Sequence, residues 1–494
     1  YSSKVAYVPK QNTIILKSIN DLETPAFAYR EDYYPDAYDP EYMDWHKLDS
    51  HFEGVDRGNK WGSWVHTFNR LLSSTEYGES HPEYFSFYDG KRHPGINANG
   101  RDGTQLCLSN PEVFEIICKN LQSLITQNPG ALYWSVSQND NVHYCRCSKC
   151  AELDRKYAAY APGSIMYGTH DNAKNYSPLG MGSLLTFVNK VAERFPDKII
   201  STLAYQYTRV PPTGIIPRKN VNIMLCSIES PRNVTLQEGD TAFHRDLIGW
   251  TKLTKNIIIW DYVVQFWNLV SPFPNLRTLQ PNLQFLHNNG IPLVFEQGSP
   301  ETGGEFAELR AYMIAKSLWN PDLDINEVTD DFLSGYYGNA SKEIRQYIDL
   351  LHDQMEKFGD KLLIFGSPID AKETYLSDSL ITVYNQLFDK AENAVRQSPD
   401  VLERVQIARF PIYYAMLEIA KAEKTGNRGA FIKVGNILKP NPKIVNILHD
   451  FVYRCIKTNV SHVRERKITP QQYLETYTKF LAEPSNVNKL ASTN

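Results

Sequence analysis

Two apolar patterns alternate along the first three hundred residues of the chain. Short apolar runs of β type, several of them apolar nearly throughout, are Ala26 to Arg30, Trp61 to His66, Ala131 to Ser137, Ile199 to Tyr205, Val221 to Ser227, Asn256 to Tyr262 and Pro292 to Glu296. Their length and their β-branched and aromatic content suit strands buried on both faces. Between them lie segments of helical periodicity, Pro111 to Ile125, Gly182 to Phe195, Phe243 to Leu253, Leu276 to His287 and Glu305 to Leu318. Pro111 follows Ser109 and Asn110, which is where an N1 proline belongs.

This alternation predicts parallel βαβ units. Because no glycine-rich phosphate loop follows the first strand, it predicts an α/β fold of the (β/α)8, TIM-like barrel type over residues 25–325, not an open doubly wound sheet. The eighth strand is expected either at Tyr84 to Tyr88 or after Leu318. Beyond about residue 325 the pattern turns to long amphipathic segments, Glu343 to Phe358, Ser377 to Arg396, Leu402 to Thr425 and Ile444 to Ile456, which predict a helical domain over 326–494 ending in a polar tail from Pro484. Residues 1–24 read as the end of an N-terminal β-domain, with Thr13 to Leu16 as its last strand. Tyr1 to Lys17 lack the charged and apolar regions of an export signal, which is expected to have been removed.

Composition narrows the function. The 52 basic and 56 acidic residues form no Lys/Arg block, which disfavours nucleic acid as a partner. No apolar run approaches the roughly 18 residues of a membrane helix. Aromatics reach 12%, and several fall beside strand ends, where their faces can stack on sugar rings while Tyr hydroxyls and indole N–H groups hydrogen-bond.

In a parallel barrel the carboxyl ends of the strands converge on one mouth. Those ends carry Arg30 and Glu31, Trp64 and His66, Asn139, Asp140 and Asn141, Tyr205 and Tyr207, Glu229, Trp260, Asp261 and Tyr262, and Glu296 and Gln297. Taken singly, an acid at a strand end is more often a cap or an ion-pair partner, but acids, amides and aromatics recurring at one structural position suit glycosidic bond cleavage. That reaction requires an acid for the leaving oxygen, a second group for the anomeric carbon and platforms for the sugar. Asp140, flanked by two amides, is the leading carboxylate, followed by Glu296 and then Asp261. No Gly-x-Ser-x-Gly elbow, Walker A loop or His-Glu-x-x-His helix is present. No catalytic cofactor is expected.

The densest local signal is Cys145-Arg-Cys147-Ser-Lys-Cys150, to which Cys107 adds a fourth thiol. Spacing leaves three readings open: a structural zinc site of four cysteines, a disulfide, or free buried thiols. Four thiolate ligands would leave no open position for catalysis.

Taken together, Ser135-Val-Ser-Gln-Asn-Asp140-Asn, Tyr144-Cys-Arg-Cys-Ser-Lys-Cys150, Gln105-Leu-Cys107-Leu-Ser-Asn-Pro-Glu-Val113, His81-Pro-Glu-Tyr-Phe85, Trp260-Asp-Tyr262, Phe295-Glu-Gln-Gly298 and Tyr336-Tyr-Gly338 resemble glycoside hydrolase family 163. The resemblance covers roughly residues 25 to 350. It implies an endo-β-N-acetylglucosaminidase that cuts the chitobiose core of complex-type N-glycans, exported to the cell surface or periplasm of a Bacteroides-type gut bacterium. Glycans or glycoproteins would be its partners.

Such an enzyme often uses the acetamide of its own substrate as nucleophile. In that scheme Asn139 orients the acetamide, and Asp140, its pKa raised by burial, acts as acid and then base; the competing arrangement pairs Asp140 with Glu296 across the mouth. Two rivals remain. One is an exo-acting, α-glucuronidase-like glycosidase that would need Arg30, Lys91 or Arg92 for a uronate. The other is an inactive glycan-binding protein working through Trp64, Tyr205 and Trp260.

Overall fold

A computed structural model describes every residue except 7–11, 14, 16–17, 53–59, 96–103, 162–166, 169–174, 177–178, 240, 300, 465–466 and 484–494. Its centre is a seven-stranded, wholly parallel sheet: β1 (Tyr29–Asp32), β2 (Trp61–Ser63), β3 (Tyr133–Ser135), β4 (Ile199–Ala204), β5 (Val221–Cys226), β6 (Ile257–Tyr262) and β7 (Leu293–Gln297). Each lies within or against one of the apolar runs. In space they follow the order β1-β7-β6-β5-β4-β3-β2, which is the cyclic order of a barrel with one seam, between β1 and β2. At the seam the rings of Tyr29 and Trp61 meet edge to face, 6.3 Å apart.

The sheet therefore curls like a TIM barrel but does not close, and among the described residues it has no eighth strand. At Tyr84 to Tyr88, Pro82 opens a 3-10 turn, after which Phe87–Tyr88 pairs with Lys91–Arg92 in a small hairpin of its own. Asp89 and Gly90, both at positive φ (49° and 78°), make its two-residue turn. After Leu318 the described chain holds no strand until Phe431, whose hairpin lies apart from the sheet.

Helices α1 (Pro111–Gln127), α2 (Ser148–Lys156), α3 (Met181–Arg194), α4 (Thr241–Leu253) and α5 (Leu276–Asn288) occupy crossovers, and α6 (Ala307–Trp319) follows the last strand. The Asn110 side chain caps α1 ahead of Pro111. Alternation along the strands sorts side chains into two cores. One face of each strand (Trp134, Ile200, Ile223, Leu225, Ile259, Val294) packs on the helices. The other (Tyr29, Trp61, Tyr133, Leu203, Met224, Ile258, Trp260, Phe295) fills the interior. Gly62 is needed where it stands: a Cβ there would lie 2.4 Å from the Trp134 ring.

Among the described residues the remainder is helical apart from one small hairpin and an isolated bridge: α7 (Ile325–Tyr337), α8 (Ser341–Phe358), α9 (Asp378–Ala394), α10 (Pro399–Ala408), α11 (Phe410–Glu423), α12 (Pro442–Lys457) and α13 (Pro470–Ala482). Helices α7 to α10 share the core of the barrel helices, α12 and α13 build a second core, and α11 contributes to both. Pro411 lies in the first turn of α11, so the single predicted stretch Leu402 to Thr425 is divided between α10 and α11. Within residues 1–24, an isolated bridge from Ser2 to Val5 is the only described pairing. Of the expected strand Thr13 to Leu16, Ile14 and Leu16 lie outside the described residues, and Thr13 and Ile15 are not in a strand. Among the described residues no helix is long and apolar enough to cross a membrane.

Candidate active site

At the carboxyl ends of the strands lies a cavity of about 470 Å3, well inside the ~300–1,000 Å3 range of small-molecule sites. Trp64, His66, Asp140, Tyr205, Trp260, Tyr262 and Gln297, all singled out from the sequence, line it. A larger recess, about 970 Å3, lies among Glu23, His46, His287 and Trp319 at the opposite, amino-terminal face. That end of a parallel barrel is not where chemistry gathers.

The cavity walls are flat and aromatic. Trp260 and Tyr262, two residues apart on β6 and so on the same face, stack with centroids 5.6 Å apart and planes 14° apart. Trp64 stacks on His51 at 4.3 Å. The indole N–H of Trp260 donates to Gln297 Oε1 at 2.6 Å, which fixes both side chains. Phe365, from the segment after α8, completes the lining, and the Phe266 amide holds that segment through the Ile364 carbonyl at 2.7 Å.

Among the described residues Asp140 is the carboxylate that faces this space, and it is exposed. The Tyr205 hydroxyl donates to its Oδ1 at 3.1 Å, and Gln206 Nε2 donates in turn to that hydroxyl at 2.9 Å. Burial, then the charge of Asp140, push the Tyr205 phenol well above its ordinary pKa, so it remains a proton-bearing donor. Two rim residues are held in the left-handed region, His66 at φ 54° and Gln206 at φ 51°. Such non-glycine strain persists only where the surroundings impose it. At His66, the backbone N–H donates to Ser137 Oγ and ring Nδ1 bonds the Gln138 carbonyl at 2.8 Å.

Other predicted residues lie elsewhere, and strand parity is the main reason. Asp261 and Glu296 stand between inward-facing neighbours and point to the outer layer. Asp261 pairs there with Arg232 at 2.6 Å and accepts from the Ser227 hydroxyl. Glu296 is buried, with its pKa raised well above the usual range by burial and then by the charges of Asp261 and Asp32. The proposed pair of Asp140 and Glu296 across the mouth is thus not formed.

Asn139 is also spoken for. Its Oδ1 accepts from the Asn69 amide at 3.1 Å and its Nδ2 donates to the Thr104 carbonyl at 2.7 Å, so it offers nothing to an acetamide. Asp140, expected to be buried, is instead exposed. Arg30 donates to the carbonyls of Phe27 and Lys47 and lies beside Asp49, away from the cavity. Tyr207 is buried against Tyr144 at 4.6 Å. Glu229 is tied to Arg209 at 2.6 Å and does not line the cavity, although its charge reaches the hydroxyls of Tyr205 and Tyr262.

Sequence reasoning missed His51. It follows no strand, yet its Nδ1 lies 2.6 Å from Glu31 Oε1, and Tyr29 donates to the other oxygen of that carboxylate. Glu31 thereby fixes the ring against the cavity wall. The four sulfurs of Cys107, Cys145, Cys147 and Cys150 gather below the Asp140 loop, all within 4.8 Å of one another. None of the four is in a disulfide, and three are buried.

An open, parallel α/β barrel with an aromatic-walled, carboxylate-bearing cavity at the carboxyl ends of its strands is thus the class of protein that fold and site define. The chain belongs to the family described as a domain of unknown function, DUF4838, whose model matches residues 1–349. No curated protein sequence matches it. Two solved structures are similar to it at 10% identity: a GH138 enzyme targeting pectin rhamnogalacturonan II (TM-score 0.34, 95% of this chain and 69% of that one), and a mutant O-GlcNAc hydrolase from Thermobaculum terrenum (TM-score 0.35, 78% of each chain). Likeness at that level says nothing about the reaction here.

Proposed function

We propose that the protein is a glycoside hydrolase, and more narrowly an endo-β-N-acetylglucosaminidase of the family 163 type that cleaves the chitobiose core of complex-type N-glycans. The observation that carries the reading is Asp140, open to a cavity walled by stacked aromatic rings and hydrogen-bonded by Tyr205. Aromatic faces hold a pyranose by its apolar C–H face, and a carboxyl beside them can give a proton to the glycosidic oxygen. The narrower substrate assignment rests on the motif resemblance, as does an exported location at the cell surface or periplasm.

In this scheme the acetamide oxygen of the substrate attacks the anomeric carbon as the bond to the leaving oxygen breaks, and Asp140 supplies the proton that oxygen takes. Asp140, now a carboxylate, then removes a proton from the water that opens the intermediate, giving retention. With Asn139 occupied elsewhere, the Tyr205 and Tyr262 hydroxyls are the groups proposed to orient the acetamide. Glu229 is the second carboxylate whose field reaches both. The uronate reading is disfavoured, since Arg30 is engaged elsewhere and, among the described residues, the cavity lining includes no Arg or Lys.

Mass spectrometry of a complex-type glycoprotein before and after incubation tests the proposal. Wild-type protein should release glycan with one N-acetylglucosamine left on asparagine, and Asp140→Asn should lower the rate by ~10²–10⁴. Because Asp140 is exposed, the variant should melt at the wild-type temperature. Glycan binding with no product from the wild type would replace the enzyme by a lectin-like protein.

A further inference from the structure

We propose that Cys107, Cys145, Cys147 and Cys150 hold a structural zinc ion, and that this ion sets the position of the Asp140 loop. The donor set fits the metal. A tetrahedron with zinc–sulfur bonds of ~2.3 Å has sulfur–sulfur edges of about 3.8 Å; Cys107 Sγ and Cys147 Sγ are 3.7 Å apart, and all four sulfurs lie within 4.8 Å of one another. Cys107, Cys145 and Cys150 are buried and Cys147 partly so, which closes the site to substrate.

The surroundings suit thiolates. Zinc binding releases the four thiol protons to solvent and leaves a doubly negative cluster. The Phe87 N–H donates to Cys145 Sγ at 3.3 Å, the Arg92 guanidinium approaches the same sulfur at 3.7 Å, and the Ser109 hydroxyl touches Cys147 and Cys150 at 3.5 and 3.2 Å. Backbone and guanidinium N–H groups around sulfur are the outer shell that such a charge calls for.

Two segments far apart in sequence meet at the cluster, and both bear on Asp140. Two residues before Cys107, Gln105 grips the chain on either side of that aspartate. Its Oε1 accepts from the Asn139 N–H at 3.0 Å, while its Nε2 donates to the Asn139 carbonyl at 2.7 Å and the Asn141 carbonyl at 2.8 Å. Five residues after Asp140, Cys145 ties the other end of the loop to the same point, and the Arg146 N–H bonds the Phe87 carbonyl at 2.7 Å. The ion would act as a rivet through both strips of chain.

The test needs no turnover, so its failure is separable from that of the glycosidase reading. Protein purified in reducing buffer without chelator should carry roughly one zinc per chain by elemental mass spectrometry. A mercurial thiol reagent with chelator should release it, and a cobalt-loaded sample should show sulfur-to-metal charge-transfer bands. Upon release, amide hydrogen exchange at residues 105–109 and 139–147 should quicken by at least about tenfold while that of Tyr133–Ser135 stays unchanged. Cys147→Ser, at the least buried ligand, should fold yet lose zinc to chelator faster than wild type. Two disulfides, or no zinc even after loading with excess, would overturn the metal site; zinc release with unaltered exchange around Asp140 would overturn the rivet.

Discussion

Glu296→Gln distinguishes a catalytic carboxylate from a buried structural one, because the two roles predict opposite outcomes. Glu296 is walled in on the outer face of β7 beside Asp32 and Asp261, and its neutral form is favoured in the folded state. A carboxyl with a folded pKa above its unfolded value binds more protons folded than unfolded, so stability is fully present in acid and falls as pH rises above the unfolded pKa. The slope is up to about 1.36 kcal/mol per pH unit between the unfolded value of ~4.3 and the folded one. From about pH 5 to about pH 6.5 this amounts to as much as ~2 kcal/mol. Glutamine has the same shape and no charge to lose, so urea unfolding at the two pH values should show a shallower decline in the variant and a variant at least as stable as wild type at the higher pH. Asp32, raised by its own burial and by Asp36, supplies the slope that persists. Equal slopes in the two proteins would refute the assignment of Glu296 to the neutral form. A hundredfold fall in glycan release with unchanged stability would return it to the chemistry.

Other expectations follow from the same geometry. Tyr205→Phe removes the hydrogen bond to Asp140, worth about 0.5–1.5 kcal/mol, and should lower kcat/KM for glycan release by up to about tenfold without shifting the melting temperature by more than a few degrees. Trp260→Ala removes half of the stacked platform and should weaken glycan binding in calorimetry by ~1.5–3 kcal/mol, the scale of fully burying an apolar side chain. Arg232→Met leaves Asp261 without its cation in a site where the two side chains are 3% and 2% exposed, and should cost about 3–5 kcal/mol in urea unfolding.

Although β1 itself reads Tyr29-Arg-Glu-Asp32 and showed only through the apolar residues that precede it, most of the seven strands were legible as short, largely apolar runs. That same feature hid the site. On a strand with one polar face, alternation reveals which side chains point inward; where both faces are apolar, as at Ile257-Ile-Ile259, it does not. Trp260, Asp261 and Tyr262 were therefore indistinguishable in sequence, although the sheet turns the two rings to the cavity and the acid to the helices. His51 belongs to no periodic element, and its role comes from ring stacking and Glu31 across nineteen intervening residues. The hairpin at Phe87 to Arg92 did carry a signal, Asp89-Gly90, the pair that a tight two-residue turn requires. Read as a turn, it removes Tyr84 to Tyr88 from the candidates for an eighth barrel strand.

The seam gives the wall of the cavity an uneven stiffness. Six of its junctions are zipped by amide ladders, which resist being drawn apart, while the seventh is bridged by the edges of two rings, Tyr29 and Trp61. Ring edges slide where amide ladders must break, so any widening that admits a bulkier branch begins beside Trp61 and the Trp64 that packs on it. The aromatic grip on the ligand and the breathing of the barrel are then properties of the same few side chains.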